Sequence, residues 1–118
     1  MKLLVYYYLA IFAHFVFDLI WQGRDIAINK RGLNKQMLTH CLVMGISSGL
    51  VIAIYYQSIS IFIQSSLFIG ITHLIVDAVR VELNRKLKDK FSTPFWQYLG
   101  VDQILHTLAI LLVFIYFN

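Results

Sequence analysis

The chain is poor in the residues that break or cross-link a fold. It has one proline, Pro94, and one cysteine, Cys41, so no intrachain disulfide can form and the redox compartment leaves no mark. Charge is scarce too, at 14% of residues, and the formal net charge of +4 comes from two basic loops rather than a nucleic-acid footprint. There is no glycine-rich phosphate loop, no G-x-S-x-G and no HExxH, which leaves serine-nucleophile chemistry without support. Met1-Lys2 and the apolar run after it match a signal peptide in outline only. No small-residue cleavage site follows, and His14 and Asp18 interrupt the run.

What the chain has in abundance is apolar surface. Hydrophobic residues make up 59% of its 118 positions and the mean hydropathy is +0.72. A soluble domain of this length cannot bury so much, which predicts an all-α integral membrane protein. Four segments reach the ~20 apolar residues that a crossing needs. They run over about residues 3–22, 37–56, 61–80 and 94–117, and predict one domain, 1–118, built as a compact four-helix bundle. Tyr6, Tyr7, Tyr8, Trp21, Phe95, Trp96 and Tyr98 fall where interfacial aromatic belts belong. Gly45 and Gly49, four apart, form a small-residue face read as packing. Thr93 and Pro94 read as N-cap and first residue of the fourth helix.

The loops set the orientation. Arg24, Lys30, Arg31 and Lys35 lie in the first, and Arg80, Arg85, Lys86, Lys88 and Lys90 at the third. The link near Gln57–Ser60 has no charge. The positive-inside rule puts both basic loops in the cytoplasm and both termini outside, and the localisation expected is the bacterial inner (plasma) membrane, multi-pass. Val81, Leu83, Leu87 and Phe91 make one apolar stripe, which fits a short cytoplasmic surface helix between helices three and four, or an extension of helix three.

Against this background the polar residues inside the spans stand out. His14, Asp18 and Gln22 are spaced four and four, on one helix face. His40 comes early in helix two, His73 and Asp77 lie four apart in helix three, and Asp102 and His106 four apart in helix four. On the two inward helices the order is His then Asp; on the outward one it is reversed. All three pairs therefore put Asp toward the cytoplasm and His about 6 Å deeper. Intramembrane ionisable groups are expensive and point to function. Imidazoles and carboxylates converging from several helices suit a divalent metal such as Zn, Mn or Fe. Carboxylates standing behind the ligating imidazoles would orient the rings. The ligands expected are His14, His40, His73, Asp77 and His106, with Asp18 or Asp102 as general base. Lys30 and Arg80, helped by Gln22 and Gln103, would draw in an anionic substrate.

The succession His14-x-x-x-Asp18-x-x-x-Gln22, Asn29-Lys30, His40, His73-x-x-x-Asp77 and Asp102-Gln103-x-x-His106 resembles a bacterial family of small integral membrane proteins, the domain-of-unknown-function family 3307. The resemblance covers nearly the whole chain, and Arg80 stands at a position where it implies a basic residue. A looser similarity, in motif style, is to small membrane proteins described as metal-dependent hydrolases. Ala13-His14-Phe15-Val16-Phe17-Asp18 also echoes Thr72-His73-Leu74-Ile75-Val76-Asp77, as if two helical hairpins were related about the membrane normal.

Three functions fit these residues. The first is a metal site near the cytoplasmic face that hydrolyses an anionic amphiphile, such as a lipid phosphate. The second is a proton or divalent-cation channel or transporter through the same layer. The third is a small structural or partner-binding membrane protein. The partners expected are the lipid bilayer, an anionic lipid and, given so small a core, a second copy as a homodimer, with no nucleic acid. The orientation has a direct test. In a Cys41→Ser background, cysteines at Lys35 and Lys88 should react with an impermeant thiol reagent from one side of the membrane, and a cysteine at Ser58 from the other. Labelling of Ser58 and Lys88 positions from the same side would overturn the topology.

Overall fold

A computed structural model describes residues 1–118. It is all helical: α1 Lys2–Phe15, running on through a π-helical turn at Val16–Trp21; α2 Gly23–Asn29; α3 Lys35–Tyr56; α4 Ile59–Arg85; and α5 Thr93–Phe117. Four helices, α1 with its π turn, α3, α4 and α5, are long and apolar enough to cross a membrane. The body measures 47 × 27 × 22 Å, so its long axis matches the ~40–45 Å of a bilayer with its headgroups.

Burial explains why a bilayer is needed. Only 22 of 118 residues are buried, while Phe12, Ile20, Leu42, Leu67, Ile104 and Ile115 face outward. In water so many exposed large apolar side chains would be a liability. In lipid they are already in their preferred solvent, so the interior is free to hold polar groups.

The helices form a ring in which α3 packs on α1 and α4, and α5 packs on α4 and α1. The pairing of α3 with α4 is the most extensive. Its turn is short: Gln57 adopts φ 51°, and the Ser58 hydroxyl caps α4 by accepting the Ile61 N–H at 3.3 Å. Gly45 and Gly49 lie directly against Ser66 of α4, and Gly70 meets the Cys41 carbonyl, so both backbones approach closely. At the end carrying this turn, Ala10, Ile52, Ile69, Ile110, Val113 and Phe114 make an apolar core flanked by Tyr6, Tyr7, Tyr55 and Tyr56. The Tyr56 hydroxyl donates to the Phe114 carbonyl at 3.1 Å. Both chain termini lie at this same end, side by side along the groove lined by Met1 and Asn118.

Several local details differ from the sequence reading. A separate short helix, α2, lies in the first loop, where none was expected; between the third and fourth spans α4 runs on to Arg85, the extension of helix three that the apolar stripe allowed, and no separate surface helix follows it. Asn34, ahead of the second span, caps α3 by accepting the Met37 N–H at 2.9 Å. Ser92 occupies the N-cap position of α5 without a side-chain cap bond, and Thr93 is already helical. The first span is not uniformly α-helical, because Asp18 sits inside the π turn.

The close approach of α3 and α4 predicts an asymmetry among glycines. A Cβ on Gly45 would collide with the Ser66 backbone carbonyl, whereas one on Gly100 meets nothing within 4 Å. Gly45→Ala should destabilise the bundle by roughly 1–3 kcal/mol through overpacking. Gly100→Ala should be neutral or stabilising by up to ~1 kcal/mol. Thermal melts in detergent decide the matter; equal melting temperatures for the two variants would refute the tight α3–α4 contact.

Candidate metal centre

At the level where the π turn, early α3, mid-α4 and early α5 meet, the ring closes around ten side chains or so, almost all polar. His14, Asp18, Lys30, His40, His73, Asp77, Asp102 and His106 are each at most 3% exposed. Each helix supplies its share by simple periodicity. On α4, His73, Asp77, Arg80 and Asn84 follow an i, i+4, i+7, i+11 stripe. The π turn carries Asp18 away from His14, whose Nε2 lies 3.8 Å off, and toward α3 and α5. There its Oδ1 lies 3.1 Å from His40 Nε2, and its Oδ2 accepts the Gln103 amide at 2.9 Å. π turns of this kind frequently mark functional sites.

Asp77 is the centre of the network. Its Oδ2 accepts from Lys30 Nζ at 2.6 Å and faces His40 Nε2 at 3.3 Å and His73 Nε2 at 3.5 Å. Its Oδ1 faces Arg80 at 3.3 Å and His106 Nε2 at 3.4 Å. Gln22 accepts a second Lys30 proton at 3.1 Å, so α2 and its loop fold the lysine back under the bundle. Asp102 lies 3.1 Å from Arg80 Nε and 3.3 Å from His106 Nε2, and takes the Gln103 amide at 2.9 Å. The His73 and His106 rings stack at 3.8 Å and 15°.

All the residues singled out by the sequence thus stand in one layer. Their arrangement differs in two ways from the one the spacing suggested. The carboxylates do not stand behind the imidazoles. They converge on the same points as the Nε2 atoms, while His40 Nδ1 and His73 Nδ1 have no partner. And Lys30 is not an outlying loop residue but a buried one. Asn84 was missed: its buried Oδ1 lacks a partner and it lines the cavity beside the layer. Its place one turn beyond Arg80 on the same stripe was the available signal.

The donor atoms Asp18 Oδ1, His40 Nε2, His73 Nε2 and Asp77 Oδ2 lie within 4.8 Å of one another. Five of the six separations are 2.9, 3.1, 3.3, 3.5 and 3.8 Å. A tetrahedral ion with bonds of ~2.0–2.1 Å has ligand–ligand edges of ~3.3–3.4 Å, in the middle of that range. Two nitrogens and two carboxylate oxygens are also a fitting donor set for Zn, Mn or Fe. Charge agrees with geometry. Asp18, Asp77 and Asp102 carry three negative charges against two on Lys30 and Arg80, and all five are buried or nearly so. With neutral imidazoles the layer carries −1, which a proton would cancel and a divalent ion would turn to +1.

A cavity of about 510 Å³ opens beside this layer, on the side of the basic loops. Asp18, Gln22, Lys30, Arg80, Asn84 and Gln103 line its polar part; Leu19, Ile28, Phe91, Phe95 and Leu99 line its apolar part; Arg85 and Lys90 add charge. A larger groove of about 680 Å³ lies between the far ends of α4 and α5, is lined mainly by apolar side chains, and holds none of these groups.

A family model described as "Protein of unknown function (DUF3307)" matches residues 5–118. The chain belongs to this family. No curated protein and no solved structure matches it. The DUF3307 match takes in all four spans and every residue of the polar layer, but it brings no activity with it. Function has to be argued from the site.

The network makes Asp77 the residue whose loss costs most. Asp77→Ala leaves the Lys30 ammonium and the Arg80 guanidinium buried with a partner missing, at roughly 3–5 kcal/mol. Asp89→Ala, in the exposed loop, should stay within about 0.5 kcal/mol. Adding Lys30→Met to Asp77→Ala should recover part of the loss, since it removes one orphaned charge. Thermal melts of the three variants test this; a double variant less stable than Asp77→Ala would contradict the pairing.

Proposed function

We propose that the chain is a single-domain, bacterial inner-membrane metal site that hydrolyses an anionic amphiphile, such as a lipid phosphate, entering from the cytoplasmic side. One observation carries this reading. The 510 Å³ cavity puts cations and apolar walls together, directly beside a converging donor set. An anionic head with an acyl or prenyl tail meets both kinds of lining at once.

In this reading His40, His73, Asp18 and Asp77 hold one divalent ion, and His14, whose nitrogen converges with those of His73 and His106 instead, lies 3.8 Å from Asp18. The ion, when bound, would supply Lewis acidity, and with four protein ligands it would act on water or a substrate oxygen only by accepting it as a fifth ligand. The remaining work falls to the chain. Lys30 and Arg80 take the anionic oxygens of the head group and orient it. Gln22 steadies Lys30, and Gln103 bridges Asp18 and Asp102 at 2.9 Å each, fixing both carboxylates. Asp102, backed by His106 at 3.3 Å, is the acceptor for a proton from the attacking water. Leu19, Phe91, Phe95 and Leu99 hold the tail and keep bulk water out.

The ion-pathway alternative needs polar groups right across the bundle. Beyond the layer the helices close on Ala10, Ile52, Ile69, Ile110, Val113 and Phe114, with tyrosines around them. That apolar plug favours a site open at one end over a conduit.

Purified protein in nanodiscs should contain near-stoichiometric Zn, Mn or Fe and turn over members of a lipid-phosphate panel. Chelation should abolish turnover, and the right ion should restore it. His73→Ala should lower metal affinity by at least about 10–100-fold, the loss seen even for residues that merely hydrogen-bond a ligand. Turnover that survives both chelator and His73→Ala would end the reading, and ion flux in liposomes without turnover would favour the alternative.

A further inference from the structure

The two oxygens of Asp77 serve different neighbours. Oδ2 belongs to the set formed with Asp18, His40 and His73. Oδ1 belongs to a second set, with Asp102 and His106, whose ligand atoms also lie within 4.8 Å of one another. In that second set His106 Nε2 is 3.4 Å from Asp77 Oδ1 and 3.3 Å from Asp102 Oδ1, again close to the ~3.3 Å edges around a four-coordinate ion.

The second set is only partly satisfied by hydrogen bonds: Asp77 Oδ1 accepts from Arg80 at 3.3 Å, and the other two ligand atoms have none. Asp102 and His106 are both 2% exposed, yet Asp102 Oδ1 and His106 Nε2 have no aligned hydrogen-bond partner. What stands against them is Arg80. Its Nε is 3.1 Å from Asp102 Oδ1 and its terminal nitrogen 3.3 Å from Asp77 Oδ1, with Nε itself unaligned with any acceptor. The guanidinium thus donates one aligned hydrogen bond, to Asp77 Oδ1, and at Asp102 and His106 meets the charge demand of this position without the directional one, as a partial stand-in for a spherical cation would.

We propose that the bundle contains two cation positions bridged by the Asp77 carboxylate, and that Arg80 fills the second. The wild-type protein then binds one divalent ion, and losing the guanidinium opens a place for another. This rests on the metal reading above and deepens it. It makes the centre a one-metal site with an arginine where carboxylate-bridged pairs carry a second ion, at the ~3.5–4 Å spacing typical of two-metal sites. Charge supports the exclusion. One divalent ion brings the layer from −1 to +1 with Arg80 present, and a second beside the arginine would bring it to +3, in surroundings where each uncompensated charge is costly. Arg80 also lines the cavity and is 15% exposed in its side chain, which leaves its one remaining nitrogen, Nη1, for the substrate side.

The test is metal stoichiometry in full-length protein, by elemental analysis after equilibration with Zn²⁺ and by Mn²⁺ electron paramagnetic resonance. Wild type should bind one ion and give an uncoupled Mn²⁺ signal. Arg80→Gln should bind two and give an exchange-coupled signal. Adding His106→Ala to it should return the count to one. One ion in both wild type and Arg80→Gln would overturn this proposal alone, as would a coupled pair in wild type, a measurement that does not depend on the variant folding. No ion in either would overturn the metal reading itself.

Discussion

A single buried carboxylate sets the terms for the rest of this protein. Asp77 has no exposed surface and faces Lys30, His40, His73, Arg80 and His106. In a medium that offers no water, a carboxylate at that depth is tolerable only when opposite charges and donors surround it. Meeting that demand requires α3 and α5 to present their faces to α4, and requires the loop after α2 to fold Lys30 inward. The side chains are local, but the constraint they impose is on the whole bundle.

The bilayer relaxes the opposite demand. Hydrophobic side chains gain little by moving from lipid into a protein core, so the apolar core at the far end is small and built on contact. Gly45, Gly49 and Gly70 let α3 and α4 touch backbone to backbone, and the tyrosines close the end. One half of the bundle is thus held by close packing and the other by charge and hydrogen bonds. The cavity lies beside the second half, where removing contacts costs directionality rather than buried area.

Much of this was legible in the sequence because the signals are periodic. Runs of about twenty apolar residues give the spans, the i, i+4 pairs give the polar faces, and the reversal of order between inward and outward helices gives their common depth. The DUF3307 resemblance rested on those same residues. What was not legible depended on distance across the bundle or on local departures from the α-helix. No residue pattern announced the π turn that swings Asp18 toward His40 and Gln103. Lys30 looks like any loop lysine until α2 is seen to fold it under the helices. And residue spacing alone cannot say that carboxylates and imidazoles point at a common centre rather than stand one behind the other.

The i, i+3 placement of Asp77 and Arg80 bears on how the protein is made. Within α4 these two groups lie 3.3 Å apart, so the helix carries its acid with a counter-charge on the same face. It can partition into lipid as a nearly neutral rod before its neighbours are in place. Within α5, Asp102 faces only the His106 imidazole, at 3.3 Å; its arginine, Arg80, belongs to α4. Docking of α5 on α4 thus completes the pairing of an acid that α5 alone leaves without a permanent cation.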